Sequence, residues 1–263
     1  MALERFSLSG KVALITGASH GIGEGIALGF AEAGADVALA ARSVDDLERV
    51  ARQVGERGRR ALVLPTDVSK LDQVAAMVPA ALAGLGRLDA FVNVAGNQCR
   101  RPILEVAPED WDFIMDVQLR AAFFGAQAAG RHFCQQGGGK IVHIASMTSY
   151  RGFLDIALYG IAKTGVVGMT RYMAVEWAPH NVQVNAIAPG WIETPMTATM
   201  QPGRRRWVEE HVPQHKYGQP RDIADLAVYL ASPASDYVTG QTFPVDGGFL
   251  AGNPWPPLGN RPV

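Results

Sequence analysis

The sequence predicts an α/β fold: a doubly wound, parallel seven-stranded sheet with helices on both faces, in a single domain spanning residues 1–263. Three observations carry this expectation. Short apolar runs alternate with helical patterns through the whole chain, as a parallel sheet with crossover helices requires. The first apolar run passes directly into a glycine-rich turn and then an Ala/Leu-rich segment. No break in composition marks a second domain.

The bulk numbers agree with a globular protein and exclude several classes. With 48% hydrophobic and 19% charged residues the chain can bury a substantial core and does not read as disordered. Its 24 basic and 25 acidic residues give a net charge of -1, so no basic field argues for nucleic acid or an anionic membrane, and neither is expected as a partner. Two cysteines, Cys99 and Cys134, are too few for a disulfide framework and fit a reducing compartment. Residues 1–10 lack a basic start followed by a long apolar stretch, and no run is long enough to cross a bilayer. A cytoplasmic enzyme or binding protein without a metal site is the expectation.

Taken in order, Lys11 to Thr16 reads as the first strand, followed by Gly17-Ala-Ser19-His20-Gly21-Ile22-Gly23 and a helix ending at Ala33-Gly34. Strand, glycine loop and helix present free backbone N–H groups and a helix N-terminus to a phosphate, although a plain tight turn accounts for glycines equally well. Asp36 to Ala41 is the second strand. Its end lies where an NAD site commonly places an acid on the ribose hydroxyls, but Ala41, Arg42 and Ser43 stand there. A guanidinium in place of a carboxylate suits a 2′-phosphate and favours NADP, with NAD possible if Arg42 is a solvated loop residue and an acid such as Asp45 serves instead. Val44 to Gly58 is helical. Arg60 to Asp67 reads as the third strand, ending in Asp67-Val68, where Asp67 either points into the ligand crevice or caps the next helix, Leu71 to Leu85.

Leu88 to Asn93 is the fourth strand, with the small-residue exit Val94-Ala95-Gly96. Pro108 to Gln136 is one long amphipathic helix with Glu109 and Asp110 in its first turn. Lys140 to Ser146 is the fifth strand, Ala157 to about Ala178 a helix, and Val182 to Ala188 the sixth strand before Pro189-Gly190. Residues 191–217, with Arg204-Arg205-Arg206-Trp207, read as a mobile lid over a substrate or as a solvated surface loop. Pro220 to Leu230 is helical, Gly240 to Asp246 holds the seventh strand, and residues 253–263 form a Pro-rich tail. Within the helix from Ala157, Tyr159 and Lys163 lie at i and i+4, so a phenol and an ammonium share one face. A cation held there favours the phenolate, though such pairs are also ordinary helix spacing.

Together these residues resemble the short-chain dehydrogenase/reductase family from Lys11 to about Gly248. The motifs stand here as Thr16-Gly-Ala-Ser-His-Gly-Ile-Gly23, Asp67-Val68, Asn93-Val-Ala-Gly96, Ser146, Tyr159-x-x-x-Lys163, Asn185-Ala-Ile-Ala-Pro-Gly190 and Val245-Asp-Gly-Gly248. The resemblance implies a Rossmann-like fold and reversible hydride transfer between a nicotinamide cofactor and a carbonyl or secondary alcohol. It implies that Ser146 hydrogen-bonds the substrate oxygen, that Tyr159 exchanges its proton, and that Lys163 binds the nicotinamide ribose and lowers the Tyr159 pKa. Asp67 would meet the adenine, Asn93, Ala95 and Gly96 the adenosine ribose side, and Pro189, Gly190, Ile192 and Thr194 the carboxamide. One departure stands out: Gln118 occupies the place of a family Asn whose backbone carbonyl, at a helix kink, holds a water behind Lys163.

Two segments, Ala95 to Pro102 and Lys140 to Ser149, are most similar to dehydrogenases of sugar acids within that family. Arg100, Arg101, Arg151 and Arg204 are then candidates to pair a substrate carboxylate, or else are solvated or make subunit contacts. Two other functions share the motifs: a 3-oxoacyl thioester reductase, and a cofactor-binding sensor or non-catalytic subunit, the latter suggested by Gln118. The family also implies a homodimer or homotetramer built through the two long helices.

Overall fold

The computed structural model describes residues 3–252, and the Pro-rich tail at 253–263 lies outside them. The chain runs β1 (Val12–Thr16), α1 (Gly21–Glu32), β2 (Asp36–Ala41), α2 (Val44–Glu56), β3 (Ala61–Pro65), α3 (Leu71–Leu85) and β4 (Ala90–Asn93). It continues α4 (Pro108–Met115), α5 (Ala121–Gln136), β5 (Gly139–Ile144), α6 (Ala157–Trp177) and β6 (Val182–Pro189). The last elements are α7 (Pro195–Ala198), α8 (Pro202–His211), α9 (Pro220–Ala231) and β7 (Thr242–Val245).

The strands form one seven-stranded sheet in the order β3-β2-β1-β4-β5-β6-β7, every pairing parallel. Side chains alternate across it. Leu14, Phe91, Ile141 and Val184 face one way, onto Val74, Ala122, Phe133 and Val166 of α3, α5 and α6. Ile15, Leu39, Val92 and Ile144 face the other, onto Ile26, Phe30, Val50 and Ile223 of α1, α2 and α9. Both faces are therefore covered, which explains why the strands read as continuous apolar runs.

The structure departs from the expected elements at three places. β3 stops at Pro65 rather than Asp67, because Pro65 offers no N–H and the Thr66 hydroxyl turns back onto the Leu64 carbonyl at 3.0 Å. The helix expected over Pro108 to Gln136 is interrupted by a π-helical segment at Asp116–Arg120, which contains Gln118. The lid segment is largely helical. Its α8 helps to build a separate cluster in which Met147, Val208, Val212, Tyr217 and Phe249 are buried, with Phe153 and Trp191 packed against it.

Candidate functional site

The sheet order reverses direction between β1 and β4, so the loops leaving these strands diverge and open a crevice at their C-terminal ends. The exit of β1 is shaped by close approach. Gly17 (φ +66°) and Gly21 (φ +60°) take left-handed backbone, and a Cβ on Gly23 would lie 2.1 Å from the Gly17 carbonyl oxygen. Arg49 holds the loop from outside, donating to the Ser19 carbonyl at 2.9 Å and to both Glu24 carboxylate oxygens. The Ser19 hydroxyl meets His20 Nδ1 at 2.9 Å. On the far side, buried Thr16 donates to Asn93 Oδ1 at 3.1 Å and accepts from the N–H groups of Val94 and Ala95, fixing the β4 exit against the glycine loop. Gly96 then lies against Gln118, whose amide nitrogen would be 2.9 Å from a Cβ there.

At the end of β2, Ala41 is buried while Arg42 and Ser43 are exposed beside the crevice. Arg42 is close enough to Asp67 for its charge to help lower that carboxyl's pKa, behind the larger contribution of the Ser69 hydrogen bond. Asp67 does not cap α3, whose N-cap is Lys70. Its Oδ1 instead accepts from the Ser69 N–H and hydroxyl at 3.1 and 2.8 Å, a turn that ends β3. Val68 packs at the edge of the core beside it.

β5 and α6 bring the polar centre together. Ser146, 6% exposed, accepts from the Thr148 N–H at 3.1 Å and lies near enough to the Tyr159 hydroxyl to act against the rise of its pKa. Lys163, one turn along α6, is 3% exposed and donates to the Ile144 carbonyl at 2.6 Å, with its Nζ 5.7 Å from the centre of the Tyr159 ring. The electrostatics differ from the expectation. Burial raises the Tyr159 pKa above 10.0, partly offset by Ser146, and burial lowers Lys163 to about 7. The ammonium is desolvated and turned toward a strand carbonyl, so it is not among the groups that lower the phenol in the free protein. Gln118 is 1% exposed, donates to the Asn97 carbonyl at 2.5 Å and leaves its Oε1 without a partner.

The β6 exit closes the crevice. The Gly190 N–H bonds the Val245 carbonyl at 2.9 Å, and Ile192 is buried and bridged to Gly218. Thr194 caps α7 and lies 3.1 Å from the position of a Cβ on Gly21, so the loop after β6 touches the glycine loop.

The four candidate arginines separate. Arg101 is engaged by Asp110 at 2.8 Å, in a cluster that also takes the Ala107 N–H and the Cys99 thiol. Arg151 stacks over the Phe249 ring at 4.8 Å. Neither is aimed at a ligand: one guanidinium is neutralised and the other is packing on an aromatic face. Arg100 and Arg204 form no ion pair among the described residues, yet they approach each other closely enough that, after burial, repulsion from Arg204 lowers the Arg100 pKa. The Asp155 carboxylate acts on Arg100 in the opposite sense but more weakly, so positive charge prevails around Arg100, as a site for an anion requires. Among features the sequence did not disclose, Arg49 is invisible because it acts across two helices. His143 is hidden inside an apolar run, where only its place on the same strand face as Asn93 could have marked it.

Comparison with known proteins agrees with this geometry. A family profile described as Enoyl-(Acyl carrier protein) reductase matches residues 17–250. The chain is 45% identical over 254 residues to the 2-dehydro-3-deoxy-D-gluconate 5-dehydrogenase of Escherichia coli K12, covering 95% of this chain and 100% of that one. A short-chain type dehydrogenase/reductase from Mycobacterium marinum superimposes with a TM-score of 0.91 at 40% identity, covering 95% and 99% of the two chains. A gluconate 5-dehydrogenase from Burkholderia cenocepacia, crystallised with NADP and tartrate, superimposes with a TM-score of 0.91 at 37% identity, covering 96% and 100%. Matches that extend over nearly the whole chain, on a parallel sheet of this order, leave one conclusion: the chain is an oxidoreductase of the short-chain dehydrogenase/reductase family.

Proposed function

We propose that the protein transfers hydride between NADP(H) and a keto or hydroxy group of a sugar acid, with Ser146, Tyr159 and Lys163 as its catalytic centre. The carrying observation is the gathering of Ser146, Tyr159 and Lys163 in one polar centre, with Ser146 near enough to act on the Tyr159 phenol and Lys163 one helical turn along. The glycine loop of the same fold has backbone packed so closely at Gly17 and Gly23 that neither admits a Cβ. Those glycines with Ser19, His20, Gly21 and Ile22 fit a pyrophosphate, and exposed Arg42 fits a 2′-phosphate. Asn93, Ala95 and Gly96 with Pro189, Gly190, Ile192 and Thr194 flank the remainder of the crevice. When bound, the nicotinamide supplies the hydride.

The chain's own residues handle the oxygen and its proton. Ser146 and Tyr159 both donate to the substrate carbonyl oxygen, and Tyr159 gives up its proton as negative charge develops there. A charged Lys163 behind it stabilises the resulting phenolate. In the oxidative direction the same proton returns to Tyr159. Arg100 and Arg204 receive the substrate carboxylate, a reading supported by the gluconate-type activities named for the relatives.

Tyr159→Phe removes only the hydroxyl. It should lower turnover of a keto sugar acid with NADPH by about 10²–10⁴, the usual worth of a positioned proton donor, and leave NADPH binding intact. Undiminished turnover would refute the assignment. Acyl thioesters tested in the same assay separate the 3-oxoacyl reductase reading, and NADPH binding without turnover on any carbonyl would favour a non-catalytic role.

The outer face of α4, α5 and α6 supports self-association of what we take to be a single-domain protomer. A groove of about 1200 Å³ there is lined by Trp111, Phe123, Phe124, Met169 and Tyr172, and Tyr172 is 80% exposed. Such a contiguous apolar patch suits a second copy of the chain. A monomer by light scattering would refute this. No helix among the described residues is long and apolar enough to cross a membrane.

A further inference from the structure

His143 sits on β5 with 0% exposure, and neither ring nitrogen has a hydrogen-bond partner among the described residues. Buried polar groups are nearly always satisfied by protein or by an ordered water, so two orphan nitrogens on one imidazole call for an explanation. Strand alternation turns Ile141, His143 and Ala145 to the α5/α6 side, away from Val142 and Ile144. In the sheet, His143 pairs with Asn93 of β4 on one side and Ala186 of β6 on the other, both uncharged. From α6, Lys163 is the charged group whose field reaches the ring. Its bond to the carbonyl of Ile144, the residue after His143, at 2.6 Å places the ammonium beside this stretch of β5.

The protonation states favour one arrangement. Burial first, and Lys163 second, lower the His143 pKa to about 3, so the ring is neutral and offers one acceptor nitrogen at any ordinary pH. The Lys163 bond to Ile144 uses one of three ammonium protons. Donors on Lys163 are thus held beside the residue that follows His143 on β5, and a single water could accept from the ammonium and donate to the ring's acceptor nitrogen.

We propose that His143 is a positioning residue for Lys163, accepting a hydrogen bond from one buried water that itself accepts from the ammonium, and so keeping Lys163 charged behind Tyr159. The inference rests on the functional reading above for its purpose but not for its measurement, which needs neither substrate nor cofactor.

Lysine and histidine ring nitrogens are followed by NMR across pH in the free, labelled protein. In His143→Leu, Lys163 should titrate about one pH unit lower than in the wild type, a tenfold loss of proton affinity, and His143→Asn should recover most of that shift. Lys163 titrating at the wild-type pH in folded His143→Leu would overturn the proposal. Should that variant fail to fold, Lys163→Met decides. The two His143 ring nitrogens should then change chemical shift, and unchanged shifts would overturn the proposal equally. A merely structural histidine would alter the melting temperature and leave the Lys163 titration where it is.

Discussion

Gly23→Ala tests whether the loop after β1 is shaped for a phosphate. The new Cβ would lie 2.1 Å from the Gly17 carbonyl oxygen and 2.7 Å from its carbon, contacts with backbone that no side-chain rotation can relieve. Restoring a tolerable separation moves the Gly17 segment by about 1 Å, and overpacking of this kind typically costs about 1–3 kcal/mol. For a chain of this size that corresponds to a fall in Tm of roughly 2–10 °C. The same displacement carries backbone N–H groups out of the narrow 2.7–3.2 Å range of a good hydrogen bond. Each charge-assisted bond lost is worth about 1.5–3 kcal/mol, so NADPH affinity should fall at least about tenfold. Gly55→Ala is the matched control. It sits exposed near the end of α2 with nothing within 4 Å of its Cβ position, and should stabilise the protein by up to about 1 kcal/mol without touching the cofactor. Calorimetric titration with NADPH and a melting curve on both variants give the answer. A Gly23→Ala protein that binds NADPH as tightly as the wild type would show that this loop does not cradle the phosphates.

Arg42→Ala should weaken NADPH about ten- to hundredfold, the worth of one or two charge-assisted hydrogen bonds, and NADH by much less; equal losses by titration would place the 2′-phosphate elsewhere. Arg100→Ala and Arg204→Ala should each raise KM for a sugar acid at least about tenfold while changing KM for the uncharged sugar little, whereas Arg101→Ala should mainly lower stability because it breaks the Asp110 pair. Lys163 has a folded pKa of about 7 against an ordinary 10.5, so between those values the unfolded chain holds a proton that the folded chain has released, and stability rises with pH across that window. Lys163→Met should therefore raise the Tm of the free protein most below pH 7 and progressively less toward pH 10.5, and a gain independent of pH would refute the desolvation argument.

Much of the fold is legible in the sequence because burial on both faces turns each strand into an apolar run, and because the turns that reverse the chain are rich in glycine and proline. The site is legible where one motif carries both its residues, as with Tyr159 and Lys163 on one helix face. It is illegible where the outcome depends on distant partners. Arg100 and Arg101 are neighbours, yet Asp110 pairs with Arg101 and leaves Arg100 in the fields of Arg204 and Asp155, a choice made by folding. The lid reads as loop because its core is assembled from Met147, Phe153, Trp191, Val208 and Phe249, residues spread over about a hundred positions that no local window contains. The charge state of Lys163 escapes for the same reason: spacing shows that an ammonium faces a phenol, while burial decides how much charge it keeps.

The π-helical segment at Asp116–Arg120 has a further meaning as a matter of rotational phase. A π turn is an α turn with one residue added, so it behaves as an insertion absorbed inside a helix instead of extruded as a loop. Each residue advances a helix by about 100°, and deleting one from this segment would regularise the helix only by swinging all of α4 through that angle relative to α5. Ile114, now fully buried against Leu158 and Ala162, would rotate off its seat, and Gln118 would turn away from Gly96. The two halves of the helix thus answer to different masters, α5 to the sheet and α4 to α6, and the extra residue between them is the gear that lets both mesh.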